Sequence, residues 1–143
     1  STTRTSRRIT SDVFALATAV LFQSPVQHFA LTPNNLTDAP EWAINFMKEV
    51  PSTWDEVRFL DGYPGKYIIL ARRYQNKWYI AGINASSEEI KVKLHLPMIS
   101  AGETISVYTD NARLVGKTST EKLNKHQQLQ VSIPCNGGIV IVN

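Results

Sequence analysis

The sequence holds 143 residues, 43% of them hydrophobic and 19% charged, with 15 Lys and Arg against 12 Asp and Glu. That length suits one domain, or a small domain with an appendage, and a chain of this size buries about two thirds of its unfolded surface, enough for a real core. The composition excludes disordered and collagenous chains, and a net charge of +3 falls far short of the dense basic stripe of a nucleic-acid binder.

From the beginning of the chain, Arg4, Arg7 and Arg8 form the one tight basic cluster, which reads as a solvated or partner-facing terminus rather than a phosphate site. The chain opens on Ser1-Thr2-Thr3, not Met, and enters a helical pattern within a few residues, as if upstream sequence preceded it. No signal peptide is visible. Residues 9–23 predict a helix. Thr10 or Ser11 can cap it, and Asp12 suits its first turn. Val13, Leu16, Ala17, Val20 and Leu21 make one apolar stripe at i, i+3, i+4, i+7, i+8. Phe14 and Phe22 lie off the stripe, so the helix calls for cover on more than one side. Pro25 ends it.

After a loop at Thr32-Pro33-Asn34-Asn35, a second helix starts around Thr37-Asp38 with Pro40 and Glu41 in its first turn. Trp42, Ala43, Phe46, Met47 and Val50 line its inner side, and Pro51 stops it. Ser52–Leu60 reads as an extended segment leading to the turn Asp61-Gly62-Tyr63-Pro64-Gly65. Beyond it the period becomes two. Lys66–Tyr74 and Lys77–Asn84 form a hairpin around Gln75-Asn76. In Glu89–Leu96, Ile90, Val92, Leu94 and Leu96 share one face and Lys91, Lys93 and His95 the other. Thr104–Thr109, Leu114–Thr118, Gln128–Ile133 and Gly138–Val142 supply further strands. Short strands at about ten-residue spacing with no helical period between them predict an antiparallel β-sandwich.

The expected fold is therefore mainly β with N-terminal helices: a helical segment over residues 1–61, then a C-terminal antiparallel β-sandwich of seven or eight strands over 62–143. No apolar run reaches about 18 residues, so no transmembrane helix is expected. The single cysteine, Cys135, excludes an internal disulfide. In Ile133-Pro134-Cys135 it reads as a small buried hydrophobe.

The chemistry-bearing residues yield no catalytic set. Glycine fingerprints for phosphate or dinucleotide and a Gly-x-Ser-x-Gly nucleophile are absent. His28, His95 and His126 are too scattered for metal ligation and read as exposed or hydrogen-bonded side chains. Glycoside hydrolysis needs two carboxylates across the scissile bond. Asp55 and Glu56 are neighbours in an extended segment, so strand alternation sends them to opposite faces. Asp61 reads as a turn cap, and Glu88 and Glu89 as solvated. The expectation is no catalytic, cofactor-binding or metal-ligating residue in this chain. Trp42, Trp54, Trp78, Tyr63, Tyr67, Tyr74 and Tyr79 offer stacking surfaces for sugars, which keeps a carbohydrate-binding module as the alternative function. Packing in a core or interface is the simpler use.

Three stretches resemble the C-terminal end of glycoside hydrolase family 97: Leu21–Phe29, Glu49–Gly62, and Pro64–Arg73 continuing to Trp78–Asn84. Residues 85–143 fit through their strand pattern alone. The resemblance implies a parent with an N-terminal β-sandwich, a (β/α)₈ barrel whose end supplies the two helices, and a C-terminal β-sandwich. It implies an exo-acting α-glucosidase or α-galactosidase, calcium in the full-length enzyme, and a bacterial periplasm, cell envelope or secreted location. The family's catalytic and calcium-binding residues lie upstream of residue 1, so none is carried onto this chain. The implied role here is structural, with the missing barrel and a homo-oligomer as partners, no nucleic acid, no membrane span and at most weak glycan binding. Cut from a barrel, the front helix would expose apolar surface, so it either folds back on the sandwich or pairs with another chain. In both cases Trp42, Phe46 and Met47 are expected to be buried.

Overall fold

The computed structural model describes residues 12–21, 41–51, 53–111 and 116–143. Its elements are helices α1 (Asp12–Leu21) and α2 (Glu41–Glu49), then strands β1 (Glu56–Tyr63), β2 (Tyr67–Tyr74), β3 (Lys77–Asn84), β4 (Ile90–His95), β5 (Thr104–Asp110), β6 (Gly116–Lys122), β7 (Gln128–Ile133) and β8 (Gly138–Val142). All described pairings are antiparallel. Six strands form one sheet in the order β1-β2-β3-β8-β5-β6, and β4 pairs with β7 in a second. Among the described residues no helix is long and apolar enough to cross a membrane.

The two sheets enclose the first core. Ile69, Ile80, Ile105, Ile139 and Ile141 of the large sheet meet Leu94, Leu96, Ile99, Val131 and Ile133, all buried. β4 shows the expected alternation, with Leu94 buried and Lys91, Lys93 and His95 exposed. The opposite face of the large sheet holds a second core under the helices. Val13, Leu16, Ala17, Val20 and Leu21, the five residues of the predicted stripe, are all buried there against Tyr79, Ala81, Val140 and Val142. The front helix thus folds back on the sandwich, packing on β3, β8 and β5. Phe46 of α2 and Val50, just past its end, join this core. The side chains of Trp42 and Met47 lie outside the described ones.

With both faces covered, the central strands lose their alternation. All five residues of β8 are buried. Trp78 and Tyr79 are both buried, at 6% and 5% exposure, the first between the sheets and the second beneath the helices.

The turns follow local chemistry. Pro64 and the left-handed Gly65 (φ 77) occupy the centre of a turn closed by the Lys66 N–H donating to the Tyr63 carbonyl at 2.9 Å, the signature of a type II turn. The expected turn at Asp61–Gly65 therefore starts later, because Asp61 and Gly62 belong to β1. Residue Leu60 is bulged out between Phe59, paired with Leu70, and Asp61, paired with Ile69. β1 begins at Glu56, so the sheet runs across positions 61 and 62. The last edge strand covers Gly116–Lys122 rather than Leu114–Thr118. Its run Gly-Lys-Thr-Ser-Thr-Glu-Lys is polar on both faces, so no alternation marked it, and residues 112–115 lie outside the described ones.

Candidate functional site

The carboxylates come first, because they would carry glycosidase chemistry. Glu56 accepts a hydrogen bond from Arg58 Nε at 2.6 Å and from Arg73 Nε at 3.3 Å. Asp55 Oδ2 accepts the Gln75 N–H at 2.7 Å and lies 3.9 Å from Arg73 Nη1. The expectation that these neighbours point to opposite faces is corrected. Asp55 precedes β1, strand alternation does not govern it, and both side chains meet the Arg73 guanidinium. The hydrogen bond from Arg58 holds the Glu56 carboxyl below its ordinary value against desolvation, which raises it, with a lesser lowering from the Arg73 hydrogen bond. A general acid needs the opposite, a carboxyl kept protonated near neutrality.

Asp61 is a strand residue, not a turn cap. Its Oδ1 accepts the Gly62 N–H at 2.8 Å. Burial, then the Asp61 charge and hydrogen bond, push the Tyr67 hydroxyl up. Asp110, 8% exposed, is a carboxylate that sequence reasoning missed because it ends a strand and resembles a turn residue. Its Oδ2 accepts the Gly138 N–H at 2.8 Å, pinning the start of β8. Four strand spacings separate β5 from β1, roughly 19 Å, about twice the widest separation that glycoside hydrolysis uses.

Glu88, Glu89, His95 and His126 are exposed. Among the described residues no three His, Cys, Asp or Glu side chains cluster to hold a metal. Cys135 is half-buried, not buried, because it sits in the β7–β8 turn rather than in a strand. Arg4, Arg7, Arg8 and His28 lie outside the described residues.

The aromatic candidates do not assemble either. Trp54 is half-buried, packed edge-on to Tyr79 at 5.3 Å. Tyr67 is half-buried as well. Tyr63 and Tyr74 are exposed, but they stand at opposite ends of β2, roughly 23 Å apart by strand length. Lys66 Nζ lies 5.1 Å from the Tyr63 ring centre, over one face.

What the large sheet does expose is an apolar stripe. Val57 and Phe59 are 48% and 65% exposed on one face of β1, Tyr63 is 59% exposed at the end of the strand, and Phe59, Gly62, Tyr63, Ile68, Ile83 and Ala85 line an apolar groove of about 430 Å³. Beside it Arg72 is buried at 8% exposure. Its Nη2 donates to the Leu21 carbonyl at 2.7 Å, capping the end of α1. Among the described residues its Nε and Nη1 have no hydrogen-bond partner, and neither has Trp54 Nε1. Sequence reasoning passed over Phe59 and Arg72; an apolar residue and an arginine in an extended segment carry no signal of their own.

The family model described as glycosyl-hydrolase 97 C-terminal, oligomerisation, matches residues 53–142. A retaining alpha-galactosidase of Bacteroides thetaiotaomicron is 34% identical over 131 residues, covering 88% of this chain and 20% of that protein. The crystal structure of a beta-arabinopyranosidase superposes with a TM-score of 0.87 and 49% identity, covering 95% of this chain and 22% of that one. A Glycoside Hydrolase Family 97 enzyme from Pseudoalteromonas sp. strain K8, at TM-score 0.65 and 21% identity over 78% of this chain and 19% of that one, shares the fold. The chain thus spans about a fifth of the length of the relatives it matches. By the family model, the sequence relatives and the sandwich they share, the chain belongs to glycoside hydrolase family 97, as its C-terminal oligomerisation domain.

Proposed function

We propose that the whole protein is an exo-acting glycoside hydrolase that removes a terminal α-galactoside or β-arabinopyranoside, and that this chain supports the catalytic part without taking part in the reaction. The observation that carries the reading is the 49% identity and TM-score of 0.87 to a beta-arabinopyranosidase over 95% of the chain. The retaining alpha-galactosidase relative supports the same substrate class. An L-arabinopyranose ring is a galactopyranose ring without its C6 hydroxymethyl, so one pocket shape serves both.

On this reading α1 and α2 are the end of the catalytic barrel, and their second core with Tyr79, Val140 and Val142 joins barrel to sandwich. The reaction needs two carboxylates at fixed separation, and these come from the rest of the polypeptide. The family resemblance carries two further readings. The whole protein binds calcium through residues outside this chain, and it is exported to the periplasm or cell envelope.

The test is hydrolysis of nitrophenyl α-galactoside, β-L-arabinopyranoside and α-glucoside by the whole protein and by the pure chain. The expected result is turnover of the first or second by the whole protein and none by the chain. Turnover by the pure chain would overturn the non-catalytic role. Preference for the glucoside would overturn the substrate class. Loss of the whole protein's activity in chelator, restored by calcium, tests the metal reading.

A further inference from the structure

The β7–β8 turn is built on a chemically labile dipeptide. The sequence has one Asn followed directly by Gly, Asn136-Gly137. The fold calls for both residues. The Gly137 N–H donates to the Pro134 carbonyl at 2.9 Å, and Asn136, at φ 60, takes the left-handed position of the type II turn closed by that bond. Asn tolerates this backbone better than most residues that carry a side chain. A Cβ at Gly137 would come within 2.8 Å of Pro134 Cγ and 3.0 Å of the Pro134 carbonyl oxygen, so a glycine has to follow.

The same pairing lets the chain attack itself. With no side chain on Gly137, its backbone nitrogen can reach the Asn136 side-chain amide carbon once the turn opens. A bond forms from that nitrogen to Cγ, the Cγ–Nδ2 bond breaks, and ammonia leaves with the proton given up by the backbone nitrogen. Water then opens the five-membered imide at either carbonyl. One opening leaves aspartate. The other leaves isoaspartate, whose main chain runs through the side-chain carbon and is one carbon longer. Asp61-Gly62 shares the glycine, but an ionised carboxylate offers no comparable leaving group.

In the folded chain the attacking atom is engaged. Gly137 is buried and its N–H is committed to Pro134. The turn is also clasped by β3: the Asn136 N–H donates to the Asn84 carbonyl at 2.9 Å, and the Asn84 N–H donates to the Gly137 carbonyl at 3.0 Å. The next residue, Gly138, is held by Asp110 Oδ2 at 2.8 Å and lies against the backbone of α1. An extra main-chain carbon between Asn136 N and Gly137 O cannot keep both bonds to Asn84, and it displaces Gly138 from its seat under the helix.

We infer that Asn136-Gly137 is a self-modification site with water as its co-reactant. It is silent while the sandwich is folded and reacts when the β7–β8 turn opens, and its isoaspartate product stops the turn from closing again. Prolonged unfolding of this domain is thereby made one-way. The inference goes beyond the glycosidase reading and does not depend on it.

The test holds the whole protein at mildly alkaline pH, folded in buffer and unfolded in urea. Peptide mapping by mass spectrometry follows position 136, with aspartate and isoaspartate resolved by chromatography. Both products should appear in urea, and the folded protein should form them at least about tenfold more slowly, because reaction there waits on local opening. Equal rates overturn the protection, and an intact Asn136 in urea overturns the site. Samples diluted from urea are then separated into native and aggregated fractions. Isoaspartate at 136 should be confined to the aggregate; an equal share in both fractions overturns the block to refolding. Asn136→Gly keeps the left-handed turn and removes the reacting amide. Its refolding yield should stay constant over the time in urea that erodes the unaltered protein's, and an equal decline in both overturns the inference.

Discussion

Gly138 lies directly beneath Phe14: a Cβ on it would come within 2.8 Å of the Phe14 nitrogen and Cα and within 2.9 Å of the Val13 carbonyl carbon. These are backbone atoms of α1, so no side chain can swing away. The helix rests on β8 because the strand begins with a glycine. Gly138→Ala should force the first turn of α1 off the sheet and cost about 1–3 kcal/mol, the usual range for overpacking. Urea denaturation followed by tryptophan fluorescence checks it; an unchanged midpoint would show that the helix does not sit this close.

Asn84 is fully buried and ties the end of β3 to the β7–β8 turn. Its Nδ2 donates to the carbonyls of Glu88 at 2.7 Å, Ile133 at 3.0 Å and Pro134 at 3.2 Å, and its Oδ1 accepts from the Ser86 N–H at 2.9 Å and the Ser86 hydroxyl at 2.6 Å. Asn84→Asp replaces the donating amide with an oxygen facing three carbonyls. It should cost about 2–4 kcal/mol at neutral pH, since buried carbonyls lose a partner and an anion is buried. Burial against three carbonyls raises the folded-state pKa of that carboxyl, so part of the loss should return as pH falls below this raised value, and the recovery is complete near the unfolded Asp value of about 4. Thermal midpoints at two pH values read both effects.

Phe46 is 6% exposed and packs edge-on against Tyr108 at 5.2 Å and Tyr79 at 6.2 Å. Phe46→Ala should destabilise by about 3–5 kcal/mol, and Phe46→Asp by more. Circular dichroism during urea titration checks it. A fully stable Phe46→Asp variant would contradict the docking of α2 on the sheet.

Alkaline stability should depend on the same cluster. Burial first, and then the charge of Glu49, push the hydroxyls of Tyr79 and Tyr108 above their ordinary value of 10.0. The unfolded chain then loses these protons before the folded one does. Stability is therefore fully present below about pH 10 and falls as pH rises through the folded values. Glu49→Gln removes one cause and should make the alkaline limb shallower without moving its onset. Melting curves from pH 8 to 11, with tyrosinate absorbance alongside, measure it.

The residues legible in sequence were those whose pattern has one cause. The α1 stripe, the alternation of β4 and the hairpin at Gln75-Asn76 each followed from local period or turn chemistry, and each is present. Where two causes overlap, local reading failed. Trp78 and Tyr79 alternate between the two faces of β3 as strand period requires, yet both are buried because the strand is covered on both sides. Asp55 looks like a strand residue, yet it stands one residue before β1 and turns to Arg73. β6 is placed a few residues early, at Leu114–Thr118, because an edge strand needs no apolar face to mark its bounds.

The sequence by itself determined the order of helices and strands, the apolar stripe of α1, the family resemblance and the lack of a readable catalytic pair, since these depend on residue type and short-range spacing. Only the tertiary structure decided that α1 lies on β8 through Gly138, that Asp55 and Glu56 share one arginine, and that Arg72 is buried and caps α1 beside an exposed Phe59. Those facts depend on which distant segments are brought within a few ångströms. Strand order, with β8 inserted between β3 and β5, sets that proximity, and no local pattern encodes it.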